Sequence, residues 1–91
     1  MVVVQKGGFG FLFPELTNKQ FFVLRHFSNG TDIKQIAHLS GVSEIAIRKQ
    51  MDAIRNKYEC ASSSDLRSIY LSRINTAIGE AIFHFMPIKN W

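Results

Sequence analysis

The sequence predicts an all-α fold: four helices in a tetrahelical helix-turn-helix arrangement, with an extended C-terminal helix. Three observations predict it. Apolar residues recur at helical spacing in four stretches of the 91-residue chain. The first three stretches each follow a side chain suited to cap a helix N-terminus: Thr17, Asp32 and Ser43. Between the second and third lies Ser40-Gly41-Val42, where glycine tolerates the positive φ of a tight turn.

Residues 1–15 read as an apolar arm. Val2-Val3-Val4 fits a short strand or a sticky segment, and Gly7-Gly8-Phe9-Gly10 breaks any helix. Phe9, Phe11, Leu12 and Phe13 are too apolar to stand together in water. They either fold back onto the domain or form a partner-binding arm.

The first helix opens at Thr17, with Gln20 completing a capping box and Leu16 serving as hydrophobic staple. It buries Val23, Leu24 and Phe27 and ends near Ser28-Asn29, with Gly30 as the left-handed stop. Phe21 and Phe22 form a second apolar face that the N-terminal phenylalanines can cover. The second helix runs from about Asp32 to Leu39, with Asp32 and Gln35 as its capping box. Ile33, Ile36 and Ala37 face inward, and Ala37 is small enough for a close helix crossing.

The third helix spans residues 43–58. Ile47, Met51, Ile54 and Tyr58 are spaced four, three and four apart and line one face. Glu44, Arg48, Lys49, Asp52, Arg55 and Asn56 line the other. A helix buried on one side, mostly basic on the other and presented by a short turn suits the DNA major groove. A fourth helix begins near Ser64 or Asp65. Its apolar positions are Leu66, Ile69, Tyr70, Ile74, Ala77, Ile78, Ala81, Ile82 and Phe85, while Leu71, Phe83 and Met86 lie off that stripe. Gly79 is a candidate break, and Pro87 ends the helix. So apolar a helix needs a second surface, either the domain core or another chain.

The charge is concentrated. The whole chain carries +4, and residues 33–58 hold five Lys or Arg (34, 48, 49, 55, 57) against two acids, an excess of +3. Arg48 and Lys49 are the leading candidates for base contacts, since an arginine on guanine discriminates by about 1–3 kcal/mol. Glu44 and Ile45 stand beside them in the first turn. Ile45 either meets a thymine methyl or covers the turn. Asp52 either accepts from a cytosine amino group or orients Arg48, one turn earlier. Lys34, Ser43, Arg55 and Lys57 are candidates for phosphate contacts.

Other classes are weakly supported. No run approaches the roughly 18 apolar residues of a membrane helix, and Met1–Val4 lacks the basic region and cleavage site of a signal peptide. Cys60 is the only cysteine, so there is no internal disulfide; it reads as a small core residue compatible with a reducing compartment. His26, His38 and His84 have no partners at metal-ligand spacing. The expectation is no enzyme activity, no metal, no cofactor and no small-molecule ligand.

From Leu16 to about Leu66 the sequence resembles the LuxR/FixJ/GerE type of bacterial DNA-binding domain. Leu16-Thr17, Lys19 and Val23-Leu24 match its opening helix, and Gly30 its next glycine. Asp32, Lys34, Gln35, Ile36 and Ala37 match the scaffold helix. Val42-Ser43-Glu44, Ile47-Arg48, Ile54 and Lys57 match the recognition helix, and Asp65-Leu66 the start of the last one. The chain departs from the pattern at several positions. Ala46 replaces a Thr, Gln50 a His, and Phe21-Phe22 charged residues. Gln20 replaces a Glu that positions the recognition-helix lysine, and Tyr58-Glu59 replaces a Leu-Gly pair.

The resemblance implies a transcriptional regulator of the bacterial cytoplasm, at the nucleoid. Its third helix would enter the major groove of double-stranded DNA, and its fourth would form a two-fold homodimer through Leu66, Ile69, Tyr70, Arg73, Ile74 and Ile78. Residues 16–74 would be the DNA-binding domain and 75–91 a helical extension, resembling the small stand-alone members that lack a receiver or ligand-sensing domain. The alternative is a protein-interaction module that heterodimerises with another regulator through its C-terminal helix, without reading DNA itself.

Overall fold

Four α-helices follow a short 3-10 helix in a computed structural model that describes residues 8–85. The 3-10 helix is Gly8–Leu12, α1 is Asn18–Ser28, α2 is Ile33–Ser40, α3 is Glu44–Lys57 and α4 is Ser63–Phe85. No strand occurs among the described residues. Val2–Val4, Met86 and the helix stop expected at Pro87 lie outside them. The glycines at 8 and 10 do not abolish helix as expected: a 3-10 helix forms over residues 8–12, and Gly8, at its first position, takes the positive φ that glycine allows.

The starts of the helices follow their caps. Thr17 Oγ1 accepts from the Gln20 N–H at 3.1 Å, and Gln20 Oε1 accepts from the Thr17 N–H at 3.1 Å, a complete capping box. Asp32 accepts from the Gln35 N–H at 2.8 Å, and Ser43 Oγ from the Ala46 N–H at 3.1 Å. Ser62 Oγ accepts from the Asp65 N–H at 3.3 Å at the head of α4.

The ends are alike too. α1, α2 and α3 each close with the same pair of bonds around a left-handed residue: Gly30 (φ 93°), Gly41 (φ 70°) and Glu59 (φ 54°). At Gly41 the N–H donates to His38 O, and the next N–H, of Val42, to Ala37 O at 3.1 Å. At Glu59 the equivalent bonds run to Asn56 O and, from Cys60, to Arg55 O at 2.9 Å. Glu59 thus holds a glycine-like conformation where the resembled family has glycine.

α1 packs on α2, α3 and α4 at once, and α2 packs on α3. Their shared core holds Leu16, Val23, Leu24, Ile36, Ala37, Ile47, Met51, Ile54, Leu66 and Tyr70. Phe13 completes it from the N-terminal segment and is fully buried. Its ring stacks on Tyr70 at 5.4 Å between centroids and tilts against Phe21 at 5.5 Å. Of the second apolar face of α1, Phe21 is therefore covered by Phe13, while Phe22 is half-buried and lies against His26. Phe27, expected in the core stripe, is only partly buried, and Arg67 lies over its ring. Phe9 and Phe11 stay exposed.

Arg73 of α4 ties the segment down. Its guanidinium donates to Leu12 O at 2.8 Å, pairs with Glu15 at 2.6 Å and lies over the rings of Phe13 and Tyr58. Burial raises the pKa of Glu15, but its own backbone N–H, the nearby Tyr58 hydroxyl and Arg73 outweigh this and hold it below its ordinary value. Burial, and then Glu15, push the Tyr58 phenol well up. The buried Tyr58 hydroxyl has no well-formed hydrogen bond.

α4 runs unbroken from Ser63 to Phe85, straight through Gly79. One interior glycine costs about 1 kcal/mol, too little to break so long a helix. Among the described residues no helix is long and apolar enough to cross a membrane.

Candidate nucleic-acid interface

The turn at Gly41 and the Ser43 cap launch α3 with Ile47, Met51 and Ile54 against the core. That fixes its opposite face outward. Glu44, Ile45, Arg48, Lys49 and Asp52 are all exposed on it, Ile45 at 67%. At 100° per residue they occupy roughly 140° of one side. Lys34 is exposed in the first turn of α2, and Ser43 is exposed at the head of α3.

Several of the expected contacts are already engaged. The Ser43 hydroxyl oxygen is occupied as the α3 cap. Asp52 does not serve as an orienting partner for Arg48; it pairs with Arg55. Arg55 also donates to Ser63 Oγ at 2.8 Å, which joins α3 to the start of α4. A pocket of about 230 Å³ lies at this junction, lined by Ile33, Arg48, Met51, Asp52, Arg55 and Ser63.

Lys57 is a correction. It lies nine residues after Arg48, roughly 180° round the helix. It points at α1, where Nζ donates to Gln20 Oε1 at 2.7 Å and to Glu15 O at 2.8 Å. Without it, the outward face holds four cations (Lys34, Arg48, Lys49, Arg55) against two carboxylates (Glu44, Asp52), an excess of +2 rather than +3.

The expected dimer residues divide. Leu66 and Tyr70 are buried in the chain's own core, so no second chain reaches them. Arg73 is held by Glu15 and Leu12, and Ile74 packs against the core. Ile69 is half-buried, and Ile78 is exposed at 42%. The large apolar residues of α4 that do project are Leu71, Ile78, Ile82 and Phe83. Leu39, at the end of α2, is half exposed as well. The signal for α4 was present in the spacing 71, 78, 82, a second stripe beside the core stripe.

Among the described residues no group of three His, Cys, Asp or Glu side chains gathers as a metal site requires. Set against known protein families, curated proteins and solved structures, the chain matches none.

Proposed function

We propose that this chain is a sequence-specific DNA-binding regulator of the helix-turn-helix class, acting as a dimer, with α3 as its recognition helix. The observation that carries the reading is the outward face of α3. Arg48 and Lys49 project together from a helix whose other side is locked into the core, directly after a two-bond turn at Gly41. A rigid cationic helix face is what base-edge recognition requires. Lys34 in the first turn of α2 adds a phosphate contact, and Ile45 offers an apolar contact to a thymine methyl. The spacing resemblance over residues 16–66 supports the same reading.

The test is selection of duplexes from a random pool by the full chain at near-physiological salt, beside the Arg48→Ala/Lys49→Ala variant. The expected result is an enriched inverted repeat, lost in the variant while helical content stays the same. Equal retention of the same sequences by both proteins would remove α3 from the reading. Affinity should fall steeply with salt, and Lys34→Ala should lower that slope by about one.

The exposed side of α4 favours a second reading, in which the chain pairs with another regulator and modulates it. A chain that selects no duplex, yet changes the DNA binding of a defined regulator, would favour it.

A further inference from the structure

The outer side of α4 carries a pattern of its own. Leu71, Asn75, Ile78 and Ile82 are spaced four, three and four apart, the seam spacing of a coiled coil. All four are exposed: Leu71 at 41%, Ile78 at 42%, Ile82 at 54%, and Asn75 with them. They fall within roughly 60° of arc, about 140° round the helix from the stripe of Leu66, Tyr70, Arg73 and Ala77. The domain uses one side of α4 and leaves the other as a continuous seam. The helix is long enough to present it: 23 residues, or roughly 34 Å, in a molecule 53 × 27 × 22 Å.

We propose that two copies of this chain associate in parallel and in register along Leu71, Asn75, Ile78 and Ile82. Asn75 commits the seam to a second copy. An asparagine among apolar seam residues is disfavoured against an apolar partner helix, which leaves its amide unpaired. In a parallel, in-register pair it meets the same asparagine of the other copy, and both amides are satisfied. A single polar residue at such a position is a known determinant of register and of two-stranded assembly. The flanking positions agree. Ser72 and Gly79 each directly follow a seam residue, and their small size lets the second helix come close. Gly79 has no reason within its own chain, since a Cβ there would meet nothing within 4 Å. The inference supplies the self-pairing face of the dimer proposed above and is tested without DNA, so either can fail alone.

The test uses sedimentation of the full chain. A dimer mass is expected, falling by half in Ile78→Asp/Ile82→Asp with helical content retained, because neither position belongs to the core. Leu71→Cys and Ile82→Cys, each combined with Cys60→Ser, test direction. A disulfide needs Cα atoms within about 7 Å. Parallel pairing lets each variant cross-link to itself on mild oxidation; antiparallel pairing lets only the mixture cross-link. A monomer mass for the unmodified chain, a dimer that survives the Asp substitutions, or cross-linking confined to the mixture would each overturn the proposal.

Discussion

Lys57 Nζ donates to Gln20 Oε1 across 2.7 Å, closing α3 onto the head of α1. The same Gln20 oxygen also accepts from the Thr17 N–H, so cap and crosslink share one atom. The lysine expected on phosphate is a structural tie, held by the glutamine at position 20. Lys57→Ala should cost about 1–2 kcal/mol, lowering Tm by roughly 4–8 °C per kcal/mol, with the salt slope of DNA binding unchanged. Arg48→Ala should do the reverse, leaving Tm in place and weakening binding. Thermal unfolding and a salt titration on both variants separate the roles; a salt slope that falls in Lys57→Ala would return that lysine to the interface.

Phe13 is the largest burden on the N-terminal segment. It is fully buried, with Tyr70, Phe21 and Arg73 around its ring. Phe13→Ala should destabilise by about 3–5 kcal/mol, a large part of the roughly 5–15 kcal/mol that holds a domain. Phe11→Ala, at a position 72% exposed, should change little. Urea unfolding measures both. Similar losses at the two positions would mean that the segment does not dock through Phe13.

Gly41 and Glu59 hold the same left-handed conformation with different side chains. Gly41→Ala should cost about 1 kcal/mol, since a Cβ is disfavoured at positive φ. Glu59→Gly should recover a similar amount, reduced by the greater freedom glycine has in the unfolded chain. Opposite signs of the two shifts in urea midpoint are the expected outcome. A loss at both positions would mean that the Glu59 side chain contributes more than its backbone costs.

His26 makes stability depend on pH. Burial, and then the charge of Arg25, lower its pKa below 6.5, its ordinary value, and its ring lies 4.5 Å from that of Phe22. The unfolded chain binds the proton more readily, so His26's contribution is complete above 6.5 and is lost as pH falls toward the lowered folded value. His26→Gln should flatten the stability profile between neutral and mildly acid pH. An unchanged profile would place the titration elsewhere.

What was legible in the sequence was local. Thr17 with Gln20, Asp32, Ser43, Gly30 and Gly41 act within a few residues of themselves, and each caps or ends the helix it was expected to. The α3 core stripe followed from spacing alone. What was not legible depends on azimuth and on distant partners. Lys57 looked like one more cation of a basic helix until its position opposite Arg48 set it against α1. Leu66 and Tyr70 looked free for a second chain because nothing local shows that Phe13 and α1 occupy that side. The Glu59 side chain gave no sign of a left-handed backbone; only the Leu-Gly pair it replaces in the resembled family marked the position.

The grip of Arg73 on Leu12 spans 61 positions of sequence. Arg73 belongs to the last helix and Leu12 to the 3-10 helix, so this clamp on the N-terminal segment cannot close until α4 has been made. During synthesis, domains form as their chain emerges, and here α1 to α3 can assemble while Phe13 still lacks Tyr70 and Arg73. Closure therefore comes late, and ribosome-bound chains stopped before residue 73 should leave Phe13 open to a chaperone or a protease.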